Sequence, residues 1–93
     1  MIVSFKHEGL RRFFDTGSKA GINPQHADKL TRILSVLDQV HDPAPLLTFP
    51  GWQAHELTGD RKGEWSIKVS GNWRVTFRFI GEDVELVDYL DYH

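Results

Sequence analysis

Trp65-Ser66-Ile67-Lys68-Val69-Ser70-Gly71-Asn72-Trp73-Arg74-Val75-Thr76-Phe77-Arg78-Phe79 is the stretch that decides the fold. Trp65, Ile67 and Val69 alternate with Ser66 and Lys68; Trp73, Val75, Phe77 and Phe79 alternate with Arg74, Thr76 and Arg78. A period of two is that of half-buried antiparallel strands. Ser70-Gly71-Asn72 supplies the hairpin between them, and Gly81-Glu82 a second tight turn into a strand over residues 83 to 89.

Upstream the period changes. Residues 2 to 5 are short, apolar and β-prone, which predicts a first strand. Leu10, Phe13 and Phe14 then fall at i, i+3, i+4, the apolar face of a helix that Gly17 is suited to end. Asn23-Pro24 reads as an N-cap followed by proline in the first turn, where its missing N–H costs nothing. Ala27, Leu30, Ile33, Leu34, Leu37 and Val40 recur at helical spacing, so a second amphipathic helix is expected over residues 24 to 40. Pro43, Pro45, Pro50 and Gly51 make residues 41 to 51 a surface loop. The expectation is one α+β domain over residues 1–93, in the order β-α-α-β-β-β, with both helices on one face of a small, mainly antiparallel sheet.

Length and composition fit that scheme. In 93 residues there is room for one hydrophobic nucleus, and 40% apolar with 26% charged side chains is the composition of a folded globular chain. The absence of cysteine removes disulfides, thiolate metal sites and cysteine nucleophiles, and suits a reducing, cytoplasmic location. No stretch approaches the roughly 20 apolar residues of a membrane span, and no signal peptide is evident, so no membrane partner is expected.

If the strand Trp and Phe residues face the helices, then Ser66, Lys68, Arg74, Thr76 and Arg78 emerge on the opposite face as a local basic strip. Such a strip serves equally as a solvated outer face or as a holder of phosphates. The balance of 11 basic against 13 acidic side chains, net −2, argues against a protein that grips naked nucleic acid by itself.

His55 falls after the loop, at the expected start of a strand, and the chain closes on Asp91-Tyr92-His93. Metal-free RNA cleavage needs a proton taken from the 2′-hydroxyl, a proton given to the 5′-oxygen, and cations around the phosphorane-like state. Two imidazoles suit both transfers, which pairs His55 with His93 without assigning base and acid between them. Asp91 or the terminal carboxylate would orient an imidazole, Tyr92 would share in proton transfer or stack on a base, and Arg74 would clamp the phosphate. No pair of ligands has the local helical spacing of a metal site, so neither metal nor cofactor is expected. Gly59-Asp60-Arg61-Lys62-Gly63 reads as a glycine-bounded basic loop rather than a phosphate-cradling motif, because it opens no helix.

These residues resemble a known family. His55-Glu-Leu-Thr-Gly-Asp-Arg-Lys-Gly-Glu-Trp-Ser-Ile, Asn72-Trp73-Arg74-Val75-Thr76-Phe77 and above all Asp91-Tyr92-His93 are similar to the HigB toxins of the RelE/ParE superfamily, and the opening Met1-Ile2-Val3-Ser4-Phe5-Lys6-His7 fits the same pattern. The resemblance implies a ribosome-dependent mRNA endoribonuclease silenced by a HigA-type helix-turn-helix antitoxin. Its partners would be the 70S ribosome and mRNA, and a ribosome that positions the message would relieve the toxin of supplying all the phosphate affinity. It also implies catalytic roles for His55, Asp91, Tyr92 and His93 and a phosphate contact for Arg74. Thr58 departs from relatives that carry lysine there; Arg61 or Lys62 is the expected substitute, beside Lys68 and Arg78 of the strip. The rival on the same fold is a ParE-like toxin that binds DNA gyrase without cleaving anything, for which an Asp-Tyr-His ending has no evident use.

Overall fold

A computed structural model of the chain describes residues 1–92, and His93 lies outside the described residues. Helix α1 spans Glu8–Thr16. His7 caps it by accepting the Leu10 N–H at Nδ1, 2.9 Å, and Gly17 ends it in the left-handed region at φ 79°, as its freedom from a Cβ allows. Leu10 and Phe13 turn into the core, whereas Phe14 stays 37% exposed and touches the Phe5 ring.

Helix α2 spans Ala27–Leu37 and is entered through a 3₁₀ turn, Pro24–His26, which Asn23 caps by accepting the Gln25 N–H. It stops short of residue 40. Asp38, at its C-cap, accepts the Ile2 N–H through its side chain at 3.0 Å, and Val40 reaches the core from outside the helix. The proline-rich loop holds a 3₁₀ turn, Ala44–Thr48, whose Leu46 is fully buried. Among the described residues no helix is long and apolar enough to cross a membrane.

Four antiparallel strands follow in sheet order β1-β2-β3-β4: β1 His55–Glu56, β2 Glu64–Ser70, β3 Trp73–Ile80 and β4 Asp83–Asp91. The strand expected over residues 2 to 5 is reduced to two isolated parallel bridges, Ile2 to Val84 and Phe5 to Val87. The cause lies in its neighbour. Beta strand β4 bulges at Leu86, φ 55°, so Val84 and Val87 both point into the core although three positions apart, and the ladder to residues 2–5 is interrupted between them. Ser4 fills the gap by accepting the Leu86 N–H at its hydroxyl.

Ile67, Val69, Val75, Phe77, Val84, Val87 and Tyr89 meet Leu10, Leu30, Ile33, Leu34 and Leu37 in one hydrophobic cluster, which puts both helices on the same face of the sheet. The opposite face departs from expectation in one respect. Ser66 and Thr76, predicted to emerge with the cations, are only 1% and 2% exposed. They are opposite each other on the two central strands of the sheet.

Candidate active site

Register fixes which side chains share the face turned away from the helices. His55 is opposite Ser66, Ser66 opposite Thr76, and Thr76 opposite Asp88, making one row across all four strands. Lys68, Arg74 and Leu90 form the next row, and Glu64, Arg78 and Glu85 the row on the other side. Strands are roughly 4.8 Å apart, so the row from His55 to Asp88 spans about 14 Å. Asp88 belongs to this face only because the Leu86 bulge shifts the alternation, a shift with no signature in the local sequence.

Backbone and neighbouring side chains hold these groups. Arg74 donates from Nη1 to the carbonyls of Gly71 (2.7 Å) and Trp73 (3.0 Å), which pins its guanidinium at the β2–β3 turn. Tyr92 arrives at the same turn, its N–H donating to Asn72 O at 2.9 Å. Arg61, on the 3₁₀ turn Gly59–Arg61, donates to the Tyr92 hydroxyl, pairs with the Glu64 carboxylate, and places its guanidinium carbon 5.4 Å from the Tyr92 ring centroid. Burial works to lower the Arg61 guanidinium, but its hydrogen bonds to Glu64 and Tyr92 outweigh that and hold it above the ordinary value. The loop also passes over Arg78: a Cβ on Gly63 would lie 3.0 Å from that guanidinium. Lys62 lines a cleft of about 320 Å³ with Glu56, Leu57, Thr58 and Gly59.

His55 is exposed, and its Nδ1 is 2.8 Å from the carbonyl oxygen of Gln53. A carbonyl only accepts, so Nδ1 carries the proton, and in the neutral ring the lone pair belongs to Nε2. The nitrogen able to take a proton therefore looks away from the backbone.

Tyr92 links the sequence-predicted residues: its backbone meets the β2–β3 turn where Arg74 is pinned, and its hydroxyl meets Arg61 of the glycine-bounded loop, while His55 is in the row of Ser66, Thr76 and Asp88. Asp91 is opposite Trp73, so strand alternation assigns it to the helix side of the sheet, at the exposed end of β4. His93 was expected at the centre of the chemistry and is outside the described residues. Sequence reasoning missed Glu64, whose carboxylate steers Arg61. On α2, burial first and then Lys68 and Arg32 depress the Lys29 amine below its ordinary value.

Comparison with known proteins follows the geometry. A chain in the solved YoeB–YefM complex from Staphylococcus aureus has a TM-score of 0.63 to this one at 16% identity, over 100% of this chain and 95% of that one. At that identity the likeness speaks for the fold, which is the α+β fold of RelE-like toxins. The family model described as HigB-like toxin, the RelE-like toxin of the type II toxin–antitoxin system HigB, matches residues 3–93. The chain belongs to that family. It is 41% identical to Endoribonuclease HigB of Proteus vulgaris over 93 residues, all of both chains, and 31% identical to Toxin HigB-1 of Vibrio cholerae over 94 residues, 100% of this chain and 98% of the other.

Proposed function

We propose that the chain is an endoribonuclease toxin that cuts mRNA on the ribosome and is held inactive by a HigA-type helix-turn-helix antitoxin. The observation that carries this reading is the outward Nε2 of His55 on the sheet face that also bears Lys68, Arg74 and Arg78. His55 Nε2 takes the proton of the 2′-hydroxyl as that oxygen attacks phosphorus. The P–O5′ bond breaks, and the 5′-oxygen takes a proton from the His93 imidazole, the second ring the sequence provides. Arg74 and Arg61 meet the charge that grows on the phosphoryl oxygens, and the Tyr92 ring offers a stacking surface for a base. Asp91 acts on the tail it adjoins rather than on His55 directly.

With a net charge of −2, the chain gains little from counterion release on free RNA, which favours a substrate already positioned by the 70S ribosome in the cytoplasm. The test compares cleavage of free RNA with cleavage of the same message on programmed ribosomes, using the native chain, His55→Ala and His93→Ala. Cuts are expected on the ribosome-bound message alone, and neither variant should cut. Equal rates on both substrates would remove the ribosome from the mechanism. Inhibition of DNA gyrase with no RNA cut would favour the non-enzymatic alternative.

A further inference from the structure

The ladder between β1 and β2 is irregular at a place that bears on His55. The Leu57 N–H donates to Glu64 O, and His55 is opposite Ser66. Continued regularly, this register would send the Lys68 N–H to the carbonyl of Gln53. It goes instead to Trp52 O, at 2.7 Å. One residue is therefore extra on the β1 side, and Gln53 sits in the left-handed region at φ 49°, a conformation that bulges of this kind normally reserve for glycine. Trp52 anchors the irregularity: it is 5% exposed and stacks on Phe49 with centroids 4.1 Å apart. The bulge releases the Gln53 carbonyl from the ladder, and His55 Nδ1 occupies it.

We propose that the Gln53 bulge is a positioning device that holds neutral His55 as the Nδ1–H tautomer, so that Nε2 is always the nitrogen offered to the substrate. Gln53 touches no substrate and acts through His55. The inference rests on the reading of His55 as the proton acceptor.

The experiment measures imidazole ¹⁵N shifts of the full chain at about pH 8.5, well above the ordinary imidazole pKa of about 6.5, with His55 assigned by its absence in His55→Gln. The native chain and Gln53→Gly, which adopts the left-handed conformation freely, should both show His55 protonated at Nδ1. Gln53→Val, whose β-branched side chain resists that conformation, should shift His55 toward Nε2–H. Its cleavage of ribosome-bound message should fall about tenfold in kcat, part of the hundredfold or more that a positioned base contributes, with KM unchanged. A native His55 protonated mainly at Nε2 overturns the proposal without any variant having to fold. So does a folded Gln53→Val with native tautomer and native kcat. A native Nδ1–H tautomer in a chain that cuts no RNA would support the bulge's role and sink the nuclease reading instead.

Discussion

Arg61 meets Tyr92 across 31 residues of sequence, donating to its hydroxyl while the guanidinium lies against the ring. The contact ties the glycine-bounded loop to the C-terminal tail over the basic sheet face, and Glu64 holds the guanidinium from its other side. A tail at a chain end would ordinarily fray. Here its last described residue is fixed by a backbone bond to Asn72 and a side-chain bond to Arg61.

Arg61→Ala should therefore lower cleavage of ribosome-bound message by about tenfold, as loss of one charge-assisted contact of 1.5 kcal/mol or so would. Thermal stability should change little, because the Arg61 side chain is exposed and its pair with the half-buried Glu64 lies at the surface. Arg61→Lys should recover only part of the rate, since an ammonium lacks the planar fork. If Arg61 stands in for the lysine that the family resemblance gives some relatives at position 58, Thr58→Lys should rescue Arg61→Ala. Native kcat in Arg61→Ala would remove Arg61 from the site.

His26 predicts how stability follows pH. It is 7% exposed, its Nδ1 is 2.6 Å from the Tyr89 hydroxyl, and burial, then Lys29, push its pKa below the ordinary 6.5. The folded state thus binds a proton on His26 less readily than the unfolded state does. Its contribution is fully present above about pH 6.5 and is lost as pH falls through that value toward the lowered one. Urea midpoints measured from pH 8 down to pH 5, taken as about three units around the ordinary value, should decline in the native chain and decline less in His26→Gln. An identical slope in both would assign the acid sensitivity to other groups.

Gly9 and Gly21 predict a packing penalty. A Cβ on Gly9 would lie 2.6 Å from Gly21 O, and one on Gly21 would lie 2.5 Å from Gly9 Cα, so the start of α1 and the link between the helices touch backbone to backbone. Neither neighbour is a side chain that can swing aside. Gly9→Ala and Gly21→Ala should each cost about 1–3 kcal/mol in urea unfolding, whereas helix propensity alone would make alanine at Gly9 favourable. Gly9→Ala at or above native stability would show that the contact is looser than drawn.

Much of this was legible in the residues. The period-two run from Trp65 to Phe79, the Asn23 cap, the Gly17 stop and the turns at Ser70-Gly71-Asn72 and Gly81-Glu82 act over a few neighbouring positions, so they are written where they operate and the structure keeps them. The opening segment was misjudged as a full strand because its pairing depends on Leu86, 82 residues beyond Ser4. The burial of Ser66 and Thr76 was missed because alternation tells which face a side chain takes, not how far that face is covered.

By itself, then, the sequence determined the two helices, the three long strands and the face on which the cations stand. Tertiary structure alone decided the bulge at Gln53 that turns His55, the bulge at Leu86 that brings Asp88 into its row, and the reach of Arg61 to Tyr92. The physical reason is one of range. Propensity and periodicity are properties of adjacent residues, whereas an extra residue in a ladder, or a loop cation laid against a tail, is stable only when distant segments have already packed beside it.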